Sequence, residues 1–307
     1  MRGAIRARRP MLVALASLAV IGSGGCRKAP AEPAPAVAVA ASKPAMWEVR
    51  SPTARLVILG TMHELPPRLD WYPGRVERAL IDADELWLEV TPDELESAPQ
   101  LVARMAADEP VAPLDRRLPP ALAEEARALA REAQLPAAAA DRLESWALAI
   151  AVSNAAGADA GLSRDNGVEA KLARRAASLR KPMRGLETAQ SQLEAFDRLP
   201  DSMQDSLLAT TVRKADLAAG RSRALAAAWA AGEVDTLAAL AAESLAETPE
   251  LVGPLVDARN AAWAQRLDAH LRGRGRIMVA VGAGHLVGPD NLLDRLAARG
   301  HIVRRLP

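Results

Sequence analysis

The chain has 307 residues, half of them hydrophobic but only 3% aromatic, and its formal charge is +1. That length can bury one substantial core with a cap, and the near balance of charge removes any electrostatic case for nucleic acid binding. The single cysteine, Cys26, excludes an intrachain disulfide and a cysteine-based zinc site.

Arg2, Arg6, Arg8 and Arg9 precede an apolar stretch at 11–21, and the small residues 22–25 lead into Cys26. A basic start, a short apolar run and small residues describe a secretory signal, and the run is short for a membrane-spanning helix. Cys26 stands where a bacterial lipoprotein carries its lipidated cysteine, although Ser23 replaces the usual Leu. Lipid attachment is the first reading; ordinary cleavage or a retained anchor is the alternative. Arg27 rather than Asp follows, which favours the outer membrane, facing the periplasm. The expectation is an exported protein that touches membrane only through its lipid anchor. Residues 27–46 are rich in Ala and Pro and read as a flexible tether.

The folded part is expected over 47–307. Apolar runs predict strands at 55–59, 85–90, 181–186, 276–281 and 301–306. Helical periodicity and abundant Ala predict helices at 74–83, 93–106, 120–133, 137–154 and 167–178. More follow at 189–197, 202–218, 221–231, 234–242, 249–271 and 291–299. This pattern is α/β: a central, mostly parallel sheet built from both ends of the chain, with a helical insert at about 92–180 as a layer or cap.

Two of the predicted strands end in the same punctuation. The first runs into Gly60-Thr61-Met62-His63, the second into Gly282-Ala283-Gly284-His285, in a chain with only 4 histidines. Each glycine is expected to let the backbone turn sharply past its strand. Glu89 ends the second predicted strand and Glu187 follows the third. Ligands of open parallel sheets bind outside the carboxyl ends of the strands. If these strands are parallel neighbours, two imidazoles and two carboxylates meet in one crevice. Such a set suits a Zn, Mn, Co or Fe ion, and equally acid–base catalysis without metal. Arg259-Asn260 lies on a long predicted helix, as a solvated pair or as an inward clamp. His270 and His301 read as structural or surface residues. No serine-hydrolase elbow, Walker loop or His-Glu-x-x-His occurs.

Leu56 to His63, Ala83 to Val90, Gly185 to Leu193, Arg259 to Trp263 and Val279 to Gly288 together resemble the TraB/GumN family. That family includes the Tiki-type metalloproteases and is similar in fold to erythromycin esterases and ChaN-like proteins. The resemblance spans about Val49 to Leu306. It implies a site of His63, Glu89 and His285, with Gly60, Glu187, Arg259, Asn260 and Gly282 in support. It also implies metal-dependent peptide hydrolysis with Mn or Co; the ion, for which Zn is a further candidate, is expected on His63, Glu89 and His285. Gly167-Val168-Glu169 departs from the family's usual Asp, which leaves the role of Glu169 open. Glu89 is expected as ligand or base, Glu187 as a group orienting an imidazole, and Arg259 as a stabiliser of developing charge. The leading expectation is an exported, lipid-anchored, metal-dependent peptidase acting on a peptide or small molecule. The alternatives are a metal-free esterase-like hydrolase and a haem-binding, small-ligand-binding or signalling lipoprotein. The oligomeric state is open.

Overall fold

A computed structural model describes residues 42–307 apart from 68, 73, 107–110, 137, 160 and 245. The expected signal, Cys26 and most of the tether lie outside the described residues. Six strands make one sheet: β1 (Met46–Arg50), β2 (Ala54–Thr61), β3 (Glu85–Leu88), β4 (Met183–Gly185), β5 (Gly275–Gly282) and β6 (Ile302–Arg305). Their order is β4-β3-β5-β2-β1-β6. β4, β3, β5 and β2 run parallel, and β1 is antiparallel to both its neighbours.

β2 and β5 are central, and nearly every residue in them is buried, as a strand covered on both faces requires. Alternation divides their side chains between two apolar layers. Val57, Leu59, Leu86, Leu88, Met278 and Ala280 pack with helices Arg75–Asp82, Val168–Ser178, Ala215–Ala231 and Val234–Ser244. Leu56, Ile58, Trp87, Ile277, Val279 and Val281 pack with helices Ala258–Arg272 and Leu292–Ala297. A third cluster, around Trp146, Leu148, Leu208 and Leu255, draws on helices and the turns between them, with no strand residue, and forms the cap. The Trp229 indole donates a 2.7 Å hydrogen bond to the carbonyl of Gly60 and ties helix Ala215–Ala231 to the end of β2.

The sheet matches the expected class, with differences that have physical causes. The predicted helix at 93–106 is two, Pro92–Glu96 and Ala98–Met105. Pro99 has no N–H for the carbonyl of Leu95, so the first helix cannot continue. The predicted helix at 137–154 starts only at Ser145. Upstream, Asp141 accepts from the backbone of Leu114 and from Arg127, which holds that stretch in turns. The break expected near Gly220 lies instead at Lys214, whose ammonium bonds the carbonyl of Ser244 at 3.2 Å. The cap also takes in helices as far as Val256, because β4 returns to the sheet for only three residues. β1 was not foreseen: its Glu48 is buried, with Arg55 at 2.5 Å compensating it. No described helix is long and apolar enough to cross a membrane.

Candidate active site

The parallel register brings the ends of β2, β3, β4 and β5 to one side of the sheet, and His63, Glu89, Glu187 and His285 all follow those ends. Neither glycine of the paired motifs adopts a positive φ. Gly60 is needed for closeness instead. A Cβ there would lie 3.2 Å from Cα and 3.3 Å from Cβ of Ala283, so the two motifs pack against each other.

Helix Ala258–Arg272 aims three side chains at the second motif, following a π-helical turn at Gly253–Asp257. Such turns re-aim helix faces and recur at functional sites. Asn260 Oδ1 lies 2.8 Å from His285 Nδ1, and Arg259 Nη1 lies 3.3 Å from His285 Nε2. Arginine can only donate, so Nε2 is the acceptor and Nδ1 carries the hydrogen given to Asn260. Trp263 packs on the imidazole at 4.5 Å between ring centroids and lies 4.6 Å from the Arg259 guanidinium. That guanidinium bonds Glu89 Oε2 at 2.7 Å and Glu187 Oε1 at 2.5 Å. Glu89 Oε1 accepts from the backbone N–H of Gly282 at 2.6 Å. Gln192 closes the network, donating to Glu187 at 2.9 Å and Glu89 at 3.3 Å.

His63 stands in a second group. Its Nδ1 lies 2.7 Å from Glu169 Oε1, and the Thr61 hydroxyl donates to the same oxygen. Glu169 comes from the first turn of helix Val168–Ser178. The preceding Gly167 passes so close to the carbonyl of His63 that any Cβ would overlap it. His285 is buried, whereas the His63 side chain keeps 28% of its exposure.

These surroundings drive the two imidazoles apart. Burial and the Arg259 cation push His285 down to about 3, so it is neutral. Burial also disfavours a charge on His63, but the adjoining Glu169 outweighs it and the pKa rises to about 9. Burial opposes ionisation of Glu89, yet Arg259, the imidazoles and the Gly282 N–H hold it down at about 2. Burial pushes Glu187 up against the pull of Arg259.

A cleft of about 780 Å³ opens between the strand ends and the cap, lined by Thr61, His63, Glu89, Glu169, Gln192 and the turn Gly282 to His285 among others. Arg259, Asn260 and Glu187 do not line it. Glu187 bonds Arg259 and Gln192 rather than an imidazole, and the imidazole-orienting residues are Asn260 and Glu169. A family model described as the TraB/PrgY/gumN family matches residues 45–305. The chain belongs to that family. No curated protein and no solved structure matches it.

For this TraB/PrgY/gumN member, the fit of a divalent ion can be judged from the donors. An ion needs several lone pairs aimed at one point. Among the described residues no group of three or more His, Cys, Asp or Glu side chains is so arranged. His285 Nε2 and Glu89 Oε2 both face the Arg259 guanidinium, which takes the position a metal cation needs. In this arrangement His63, Glu89 and His285 do not fit a divalent ion. Sequence reasoning had singled out neither Gln192 nor Thr61 and had left Glu169 open. The available signal was that Glu169 and Gln192 each open a helix that follows a predicted strand or turn.

Proposed function

We propose that the chain is an exported hydrolase in which His63, paired with Glu169, moves the proton that activates water at a carbonyl in the cleft. The observation that carries this reading is the 2.7 Å His63–Glu169 pair on the cleft wall, beside a second imidazole that is buried and neutral. Glu169 accepts from Nδ1 and fixes the ring, and Nε2 takes the proton from water. The water oxygen bonds to the carbonyl carbon. Backbone N–H groups of Ala283 and Gly284 would hold the oxyanion, since the Gly282 N–H is bonded to Glu89. The intermediate then expels an alkoxide or amine, which receives the proton from His63. Glu89, Arg259 and Asn260 act as positioning residues: they hold that turn and His285 in place. The test is hydrolysis of a panel of p-nitrophenyl esters and peptides by wild type, His63→Ala and His285→Ala. Loss of at least 100-fold in His63→Ala is expected. Equal activity in all three sinks the assignment.

A metal-dependent peptidase is the second reading. It is favoured by the oxygen and nitrogen donors that His63, Glu89 and Glu169 bring to one cleft. It requires Arg259 to release Glu89 and His285. Elemental analysis of protein purified without chelator decides between the two: stoichiometric Mn, Co or Zn would establish the second. Export rests on residues 1–26, with Cys26 as lipid attachment point at the outer membrane. Incorporation of labelled fatty acid that persists in Cys26→Ser would refute the anchor.

A further inference from the structure

The cleft runs well past the imidazole. Helices Ala215–Ala231 and Val234–Ser244 lie side by side and antiparallel: Arg221 bonds the carbonyl of Leu240 at 2.9 Å, and Lys214 that of Ser244 at 3.2 Å. Leu225 and Leu237, at the other end of the pair, pack in one cluster with Ala283 beside His285. Lys214 and Leu225 both line the cleft. Eleven residues of helix separate them, about 16 Å. The trough therefore starts at the reacting end and extends along the helix pair. Ile150, Phe196, Leu207, Leu225, Leu237 and Ala241 give most of its lining; Thr210, Thr211 and Ser222 also face it, and the cations of Lys214 and Arg221 are taken up by helix carbonyls. Of the exposed large hydrophobic residues Ile81, Leu217 and Ile302, Leu217 alone lines the cleft, and it is 65% exposed. An apolar side chain is thus held at the rim of an apolar trough.

The walls select between two kinds of linear ligand. An extended peptide of that length is about five residues, each with an N–H and a C=O to satisfy. The trough offers mainly helix sides, whose backbone groups are bonded within the helices. The open edges of the sheet are β4 and β6, and neither lines the cleft. An aliphatic chain needs no such partners and gains from every buried methylene.

We propose that the cleft takes one unbranched acyl chain, and that the bond cleaved beside His63 is the ester bond of a long-chain fatty acid. This rests on the hydrolase reading. Water oxygen bonds to the acyl carbon, the acyl C–O bond breaks, the alcohol leaves with the proton from His63, and the fatty acid is released.

The test has two arms on the full chain. The first measures kcat/KM for p-nitrophenyl esters from acetyl to hexadecanoyl. The value rises about fourfold per added methylene until the trough is filled. In Ala218→Trp, which narrows the rim, and in Leu217→Asp, the ratio of dodecanoyl to acetyl ester falls at least tenfold. The second arm measures displacement of N-phenyl-1-naphthylamine by free fatty acids of increasing length. A flat chain-length profile, with acetyl ester hydrolysis still dependent on His63, overturns the acyl chain and leaves the hydrolase standing. Length-dependent fatty-acid binding that Ala218→Trp weakens, without hydrolysis of any ester, leaves the acyl site standing and refutes the hydrolase. Neither hydrolysis nor binding overturns the acyl site.

Discussion

Replacing Glu169 by Gln removes the charge that holds a proton on His63 while keeping a group of the same shape. The folded pKa of His63 is about 9, against an ordinary 6.5. At 1.36 kcal/mol per unit the difference amounts to about 3–4 kcal/mol as an upper bound. A raised pKa stabilises the fold where the proton is bound. This contribution is fully present below pH 6.5 and is lost as pH rises through 9. Denaturant unfolding between pH 5.5 and 10 is the assay, with the His63 ring resonance followed by NMR over the same range. Wild type should lose stability between 6.5 and 9 relative to Glu169→Gln, and the two should converge above 9. The ring should titrate near 9 in wild type and close to 6.5 in the variant. A wild-type His63 that titrates at 6.5, or a stability difference that does not depend on pH across this window, would refute the electrostatic account.

Other consequences are local. Arg259→Ala strands Glu89 and Glu187 without their cation and should destabilise by about 3–5 kcal/mol in urea unfolding at neutral pH; a loss under about 1 kcal/mol, the range of exposed pairs, would show the network is not buried as described. Gly60→Ala should cost about 1–3 kcal/mol, because the backbone of Ala283 cannot retreat from the new Cβ without moving the second motif. Trp229→Phe leaves the Gly60 carbonyl unpaired and should cost about 1–3 kcal/mol in the same assay, with faster amide exchange at the end of β2.

The central strands were legible because they are nearly pure apolar runs, such as Arg276 to Val281, bounded by Gly and charge, whereas β1 was not. The rule for parallel strand ends put His63, Glu89, Glu187 and His285 on one side of the sheet, where the register has them, but Glu187 lies outside the cleft that the other three line. The cap was less legible. Its alanine-rich stretches are helical in every register, so breaks at Ser97 and Lys214 depend on the N–H that Pro99 lacks and on a tertiary contact. Gly60 was singled out for a turn, but its place is fixed by the approach of Ala283, and no local pattern encodes a neighbour more than 200 residues away. The division of labour between the imidazoles was equally hidden. It rests on which side chains reach them: Asn260 and Arg259 from one helix, Glu169 from another.

The central claim is that His63, set by Glu169, moves the proton in hydrolysis without metal. The pH dependence of kcat/KM for an acyl ester, measured on chelator-treated wild type and Glu169→Gln, tests it most directly. The account predicts a rising limb that inflects near pH 9 in wild type and moves toward 6.5 in the variant, with the wild-type profile unchanged by chelation. An inflection that stays in place in Glu169→Gln, or activity that disappears on chelation and returns with added Mn, Co or Zn, would contradict it.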